Sequence, residues 1–323
     1  MSSVNTAARD FPDHAPKLGL GLAALGRPAY INLGRDGALP EARTVDAMRD
    51  TCRQVLDAAY AAGVRWVDVA RSYGLAEMFL AGWLADRGMP DLTVSSKWGY
   101  TYVGGWRLDA EVHEIKEHST SRFAEQWTES RALLGERIAI YQVHSLTPDS
   151  PVFTDQPLLE ALAGLNAQGV RVGFSTSGST QAETIERGMA LRVAGQPVFT
   201  AVQSTWNVLE PSAGPALAQA HRSGAHVLIK EAMANGKLAT NPPTPLLEIA
   251  ERHGVGPDAI AIAAALSHPW ADTVLLGPTS TDQLSSNLCA AAVCLTEQDL
   301  QQLAPLAMPT TEYWFERGML TWC

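Results

Sequence analysis

The sequence predicts an α/β fold in which eight parallel strands close into a (β/α)8 barrel of the TIM type. A single domain spans residues 1–323, with an extra C-terminal helix and tail. Three observations predict it. Short apolar runs alternate with helical patterns along the chain, the mark of a parallel sheet with crossover helices. No linker rich in Gly, Ser or Pro divides the chain into independent halves. The polar residues Asp68, Lys97 and His144 end successive runs, and such a barrel carries its functional groups at the C-terminal strand ends. Alternation alone does not count closure, so an open doubly wound sheet is the alternative.

Taken in order, residues 18–25 form an apolar run with glycines that suits a first buried strand. Gly19-Leu-Gly21 lacks the third glycine and the immediate helix of a dinucleotide fingerprint and is discounted. Residues 27–40 read as a loop rich in Gly and Pro. In 44–62, Val45, Met48, Cys52, Val55, Leu56 and Ala59 recur at helical spacing, and Gly63 stops the helix. Val64, Trp66 and Val67 make a second strand ending at Asp68. Tyr73 follows on a turn marked by Gly74, and a helix covers 76–87.

The third strand, 92–97, delivers Lys97 and opens onto an aromatic stretch with Trp98, Tyr100, Tyr102 and Trp106. Ser119 caps a helix bearing Phe123, Trp127, Leu133 and Leu134. Strand four, 138–144, ends at His144, and a helix covers 158–168. Strand five, 170–174, opens onto Ser175. Strand six, 198–203, ends at Gln203 ahead of Trp206 and Asn207, with a helix over 214–222. Strand seven, 226–230, ends at Lys230, followed by Glu231. Helices cover 245–253 and 257–267, and strand eight is 273–277. Further helices cover 280–291 and 297–306, before a tail with Tyr313, Trp314, Phe315 and Trp322.

The bulk properties suit an enzyme. The chain has 323 residues, 46% hydrophobic and 18% charged, enough for a full core. A net charge of -10 without a basic cluster argues against a nucleic-acid partner. No apolar stretch approaches the roughly 20 residues of a membrane helix. Residues 1–13 are polar and lack a signal peptide's apolar region, and 1–15 are expected to be flexible. Cys52, Cys289, Cys294 and Cys323 fall in no metal-type spacing, so reduced thiols in the cytoplasm are expected. His113 and His118 lack a third ligand nearby, and no metal is expected. The sequence leaves the oligomeric state open.

Singly, each polar strand-end residue has an ordinary explanation. Asp68 can cap a turn, Tyr73 can pack, Lys97 can be solvated, and His144 can sit at the rim of the core. Their joint placement favours a proton-transfer site. A tyrosine with a pKa of about 10 donates poorly near neutral pH, and a nearby ammonium makes it more acidic. Lys97 is expected to do this, with Asp68 holding Lys97 in place. His144 orients a substrate oxygen or completes a relay. None of these groups carries a hydride, so a cofactor is implied.

At this point the sequence resembles the aldo-keto reductase family. The likeness rests on Asp68-Val-Ala-Arg-Ser-Tyr73-Gly74 with Glu77, Val94-Ser-Ser-Lys97, Tyr141-Gln-Val-His144, Gly173-Phe-Ser175, Gln203 with Asn207, and residues 277–287. These pieces occur in the family's order over roughly residues 16–290. The resemblance implies an NAD(P)-dependent oxidoreductase interconverting a carbonyl and an alcohol, with NADP(H) or NAD(H) bound in extended form. It makes Tyr73 the general acid/base, tuned by Lys97 and Asp68, with His144 positioning the carbonyl. By the same likeness Ser175 and Gln203 hold the nicotinamide carboxamide, and Gly277, Thr279, Ser280, Gln283 and Asn287 grip the adenosine end. A plain helix N-cap at Thr279 or Ser280 is the ordinary alternative.

Three departures stand out. Lys230 replaces an aromatic that stacks on the nicotinamide in many relatives, with Glu231 in place of a small polar residue. Lys230 is expected to reach the pyrophosphate or to pair with Glu231. Thr279 and Gln283 stand where relatives often carry basic residues for the 2′-phosphate of NADP, which leaves NAD open. The small-molecule substrate is expected among aldehydes and ketones, including sugars and bulky metabolites. Trp98, Tyr100, Trp106 and Trp314 are candidate lining residues, with the tail 307–323 over the pocket; loop packing explains the first three equally well. Two other readings compete: a redox-neutral isomerase or lyase on the same barrel, and a non-catalytic nicotinamide-binding sensor or auxiliary protein.

Overall fold

The computed structural model describes residues 17–34 and 37–322. Residues 1–15, expected to be flexible, lie outside the described residues, as do Arg35 and Asp36 of the first loop and Cys323. The strands are β1 (Leu18–Gly21), β2 (Trp66–Asp68), β3 (Thr93–Trp98), β4 (Ile138–Leu146), β5 (Arg171–Thr176), β6 (Ala201–Thr205), β7 (His226–Lys230) and β8 (Thr273–Leu276). They close into a barrel in the order β1-β8-β7-β6-β5-β4-β3-β2. Every pairing is parallel, and β1 meets β8 through Leu20 and Leu276. That closure excludes the open sheet.

The surrounding helices are α1 (Val45–Ala61), α2 (Ala76–Arg87), α3 (Thr120–Leu134), α4 (Gln156–Ala167), α5 (Gln181–Ala190), α6 (Gly214–Arg222), α7 (Thr244–His253), α8 (Pro257–Leu266) and α9 (Thr281–Leu288). Two more, α10 (Glu297–Leu303) and α11 (Thr310–Gly318), follow the barrel. Local chemistry sets their ends. The Thr44 side chain accepts from the Ala47 N–H, Ser119 from that of Arg122, and Ser280 from that of Gln283. Helix α1 buries Met48, Cys52, Val55, Leu56 and Ala59, the expected stripe.

Three features depart from the sequence reading. Helix α5 is additional. Its inner face carries Gln181, Thr184, Ile185 and Gly188, only one of them a large apolar residue, although the charged residues segregate to the other face. A Cβ on Gly188 would lie 2.6 Å from the Phe174 ring, so close helix–strand packing requires the glycine. The aromatic stretch after β3 is an antiparallel hairpin of Tyr100–Tyr102 with Glu114–Lys116. The tail contains α11, whose Thr, Tyr, Trp and Phe residues are mediocre helix formers.

The register sorts the barrel interior. Trp66, Ile140, Ala201 and Leu228, with Leu275, form an apolar cluster distinct from the main core. Nearer the C-terminal strand ends stand Asp68, Lys97, Gln142, Ser175 and Gln203. They are cross-strand neighbours through the pairs Asp68–Ser95, Lys97–Gln142 and Gln203–Ser175. A polar floor thus rests on an apolar plug. Among the described residues no helix is long and apolar enough to cross a membrane.

Candidate active site

Lys97 is fully buried and Asp68 nearly so, and the Lys97 ammonium donates to Asp68 Oδ1. A second lysine donor reaches the Val69 carbonyl at 3.1 Å. The other carboxylate oxygen, Oδ2, accepts from Ser95 Oγ at 2.6 Å, Gln203 Nε2 at 3.0 Å and Gln142 Nε2 at 3.4 Å. So many donors hold a buried charge that would otherwise be costly. Ser95 also accepts from the Trp66 indole N–H at 3.0 Å, tying this cluster to the apolar plug.

Tyr73 is seated by two glycines. Leu75 N–H donates to the Gly26 carbonyl at 2.7 Å, and a Cβ on Gly26 would lie 2.3 Å from the Tyr73 carbonyl. Gly74 has φ 58°, and a Cβ there would lie 2.4 Å from the Gly26 oxygen. Only glycine permits this approach. The Tyr73 ring then lies beneath Lys97, whose Nζ is 4.8 Å from its centroid, and edge-on to His144 at 5.5 Å. His144 Nδ1 is 3.3 Å from Ser72 Oγ. The His144 carbonyl takes a hydrogen bond from His118 Nε2 at 2.8 Å, so the neutral His118 carries its proton on that nitrogen. The structure therefore brings Asp68, Tyr73, Lys97 and His144 together.

Electrostatics modify the expected role of Lys97. The Tyr73 phenol is pushed well above its ordinary range, by burial first and by Asp68 next. Arg27 is the cation that most opposes this rise, whereas Lys97 is committed to Asp68. Arg27 is buried, with its guanidinium 5.1 Å from the Tyr73 ring centroid, 4.6 Å from that of Tyr30 and 4.7 Å from that of Trp322. It donates to the Ser72 carbonyl at 3.0 Å and to Glu114 at 2.6 Å. Burial, then Lys97 and Arg27, hold His144 well below the usual imidazole range, so it is neutral at neutral pH.

Lys230 closes the far side. Its Nζ donates to Thr205 Oγ1 at 2.8 Å and to Glu231 Oε1 at 3.4 Å, and burial lowers its pKa to about 8. Glu231, with φ 57°, is clamped by Arg317 of α11 through bonds of 2.9 and 2.5 Å. Arg317 and Lys230 hold its carboxyl below the ordinary range against the effect of burial. Asn207 donates to the Glu231 carbonyl at 2.9 Å and to the Tyr313 hydroxyl at 3.0 Å, fixing α11 to the loop after β7.

A cleft of about 720 Å³, open to solvent, has Tyr30, Asp68, Tyr73, Gln203, Lys230 and Gly277 among its lining residues. Ser175 Oγ accepts from the Ser145 N–H at 2.8 Å. Thr279 is fully buried, and its N–H and hydroxyl both donate to Gln283 Oε1, at 2.8 and 2.9 Å. Ser280 caps α9. Asn287 donates to Asp258 at 2.7 Å, while its Oδ1 has no partner.

The four aromatic candidates separate. Tyr100 meets the His144 ring at 5.1 Å. Trp98 is fully buried against Phe123 and His118, 5.2 and 5.8 Å away. Trp106 lies against Phe79, with its indole N–H on the Arg43 carbonyl at 2.7 Å. Trp314 lies 6.0 Å below Lys230 Nζ. Trp322 stacks on His113 at 4.3 Å and meets Tyr30 edge-on at 6.0 Å. Among the described residues, no cluster of His, Cys, Asp and Glu is arranged to hold a metal.

Sequence reading missed Arg27, Tyr30, Gln142 and Arg317. Gln142 was findable, because it precedes His144 by two and a strand repeats its facing every second residue. The others sit in a loop and a tail that carry no period.

The profile of the aldo/keto reductase family matches residues 17–307. The chain is 23% identical over 304 residues to Protein tas of Escherichia coli (strain K12), covering 77% of this chain and 86% of that protein. It has the same likeness to Protein tas of Shigella flexneri. The fold matches the holo form of aldo-keto reductase AKR11C1 from Bacillus halodurans with a TM-score of 0.67. That match is at 21% identity and covers 91% of this chain and 92% of the other.

Proposed function

Because the chain belongs to the aldo/keto reductase family and is an NAD(P)-dependent oxidoreductase of that type, we propose that it interconverts an aldehyde or ketone with its alcohol using Tyr73 as the general acid/base. The convergence of Tyr73, Lys97, Asp68 and His144 at one end of the barrel carries this reading. Tyr73 gives its proton to the carbonyl oxygen during reduction and accepts it back during oxidation. Asp68 fixes Lys97 over the ring, and Arg27 is the cation that most offsets the charge developing on the phenol oxygen. Ser72 occupies His144 Nδ1, which leaves Nε2 to orient the substrate oxygen. A neutral imidazole suits this role, since it polarises the carbonyl without competing as an acid.

The cleft suits an extended nicotinamide dinucleotide, which supplies the hydride when bound. Gln203 lines it beside Asp68, and the partnerless Asn287 Oδ1 suits an exocyclic amine. Ser175, Gln203, Gly277, Ser280, Gln283 and Asn287 are the residues that would hold it. Thr279 would act through Gln283, because its own hydroxyl is buried. A neutral Thr279–Gln283 pair offers no bidentate cation to a 2′-phosphate, so we expect NADH to bind comparably to NADPH. Helix α11 and Trp322 would cover the substrate side, with Tyr100 lining it. Buried Cys52 and the free Cys289 and Cys294 fit a cytoplasmic setting.

Tyr73→Phe provides the test. It should lower kcat by roughly 10²–10⁴, the contribution of one acid–base group. NADPH and NADH affinity, read by tryptophan quenching, should stay nearly unchanged. Ordinary turnover in this variant would sink the reading.

A further inference from the structure

We propose that Lys230 is a subsite for an anionic oxygen, so that the carbonyl substrate carries a carboxylate or phosphate that reaches Lys230 while its carbonyl lies at Tyr73. This rests on the reading of Tyr73 as proton donor. Lys230 lines the same cleft as Tyr73, Tyr30 and Gln203. An ammonium has three donors. Thr205 takes one at 2.8 Å, and Glu231 takes a second only at 3.4 Å.

The charges in the cleft point the same way. Of its charged lining residues, Asp68 is committed to Lys97, Ser95, Gln142 and Gln203. Glu231 is taken by Arg317 at 2.9 and 2.5 Å and also accepts from Thr205 at 3.3 Å. One carboxylate thus faces two cations, and Lys230 is the surplus charge. An arriving anion would complete its hydrogen bonds and balance that charge at once.

The groups acting on Lys230 are Glu231 beside it, Arg317 of α11 and Lys97 of β3; the Trp314 ring lies 6.0 Å away. Lys230 in turn lowers the His144 pKa, so its charge is felt at the carbonyl-orienting residue. Burial leaves the lysine titrating at about 8. Anion recognition should therefore fade as pH rises through that value.

The test uses the full chain as wild type, K230Q and K230R, with butanal and succinic semialdehyde, which differ by a terminal carboxylate. Wild type should show a KM for succinic semialdehyde about tenfold below that for butanal, the effect of one charge-assisted bond. K230Q should collapse this ratio, and K230R should keep it. The ratio should fall between pH 7 and 9. Equal KM values in wild type overturn the proposal. So does a K230Q variant that binds NADPH and NADH more weakly at an unchanged ratio, which assigns Lys230 to the cofactor phosphates. If wild type binds nucleotide but reduces neither aldehyde, the functional reading fails and succinate protection against thermal unfolding decides. Protection lost in K230Q supports the anion site, and its absence in wild type or its persistence in K230Q overturns it.

Discussion

In the proposed mechanism Tyr73 must release a proton although burial and Asp68 both push its phenol upward, and Arg27 is the cation set against them. Replacing Arg27 by Met should raise the Tyr73 pKa further. Alcohol oxidation needs the phenolate, so its pH–rate profile should move to higher pH, while R27K keeps most of the wild-type profile. A stability defect alone would not move that profile, and an unchanged profile would remove Arg27 from the mechanism. The four candidate residues were legible because each follows an apolar run or its turn, and sequence order gives strand order. Arg27 was not, because a single arginine in a loop has no period and its neighbours Tyr73 and Trp322 are distant in sequence.

Elements that bury several large apolar residues were readable, and the misread ones bury few. Helix α5 turns polar and small residues inward. Helix α11 buries only Tyr313 among its residues, so side-chain bonds to the loops after β6 and β7 must hold it. Arg317 to Glu231, Tyr313 to Asn207 and Glu316 to Lys237 at 2.7 Å supply them. Arg317→Ala would leave Glu231 largely buried without its main partner, a loss of about 3 kcal/mol. The expected outcome is a lowered Tm with faster proteolytic cleavage near residues 307–309. Unchanged protease resistance would show that α11 is held otherwise.

Over the whole molecule, alternation of strands and helices was legible, whereas closure depended on β1 meeting β8, which no local pattern encodes. The folded chain also buries histidines in neutral form. His118 and His226 both fall to about 4, chiefly through burial. An unfolded histidine titrates near 6.5, so below that pH the unfolded state binds more protons and stability must fall as pH drops towards 4. Each residue costs about 3 kcal/mol across that window. Thermal unfolding should show Tm declining from pH 6.5 downward, before most carboxylates protonate, and H226F should flatten the slope. A Tm independent of pH between 6.5 and 4.5 would contradict the assignment.

The contact of Trp322 with Arg27 and Tyr30 has a kinetic meaning as well. It joins positions near opposite ends of the chain, so it is entropically cheap only once the barrel between them has brought those ends together. Strands and helices can condense long before it forms. The roof over Tyr73 is therefore among the last parts of the molecule to be set, and a chain can hold a nearly complete barrel while its reaction chamber still stands open to water.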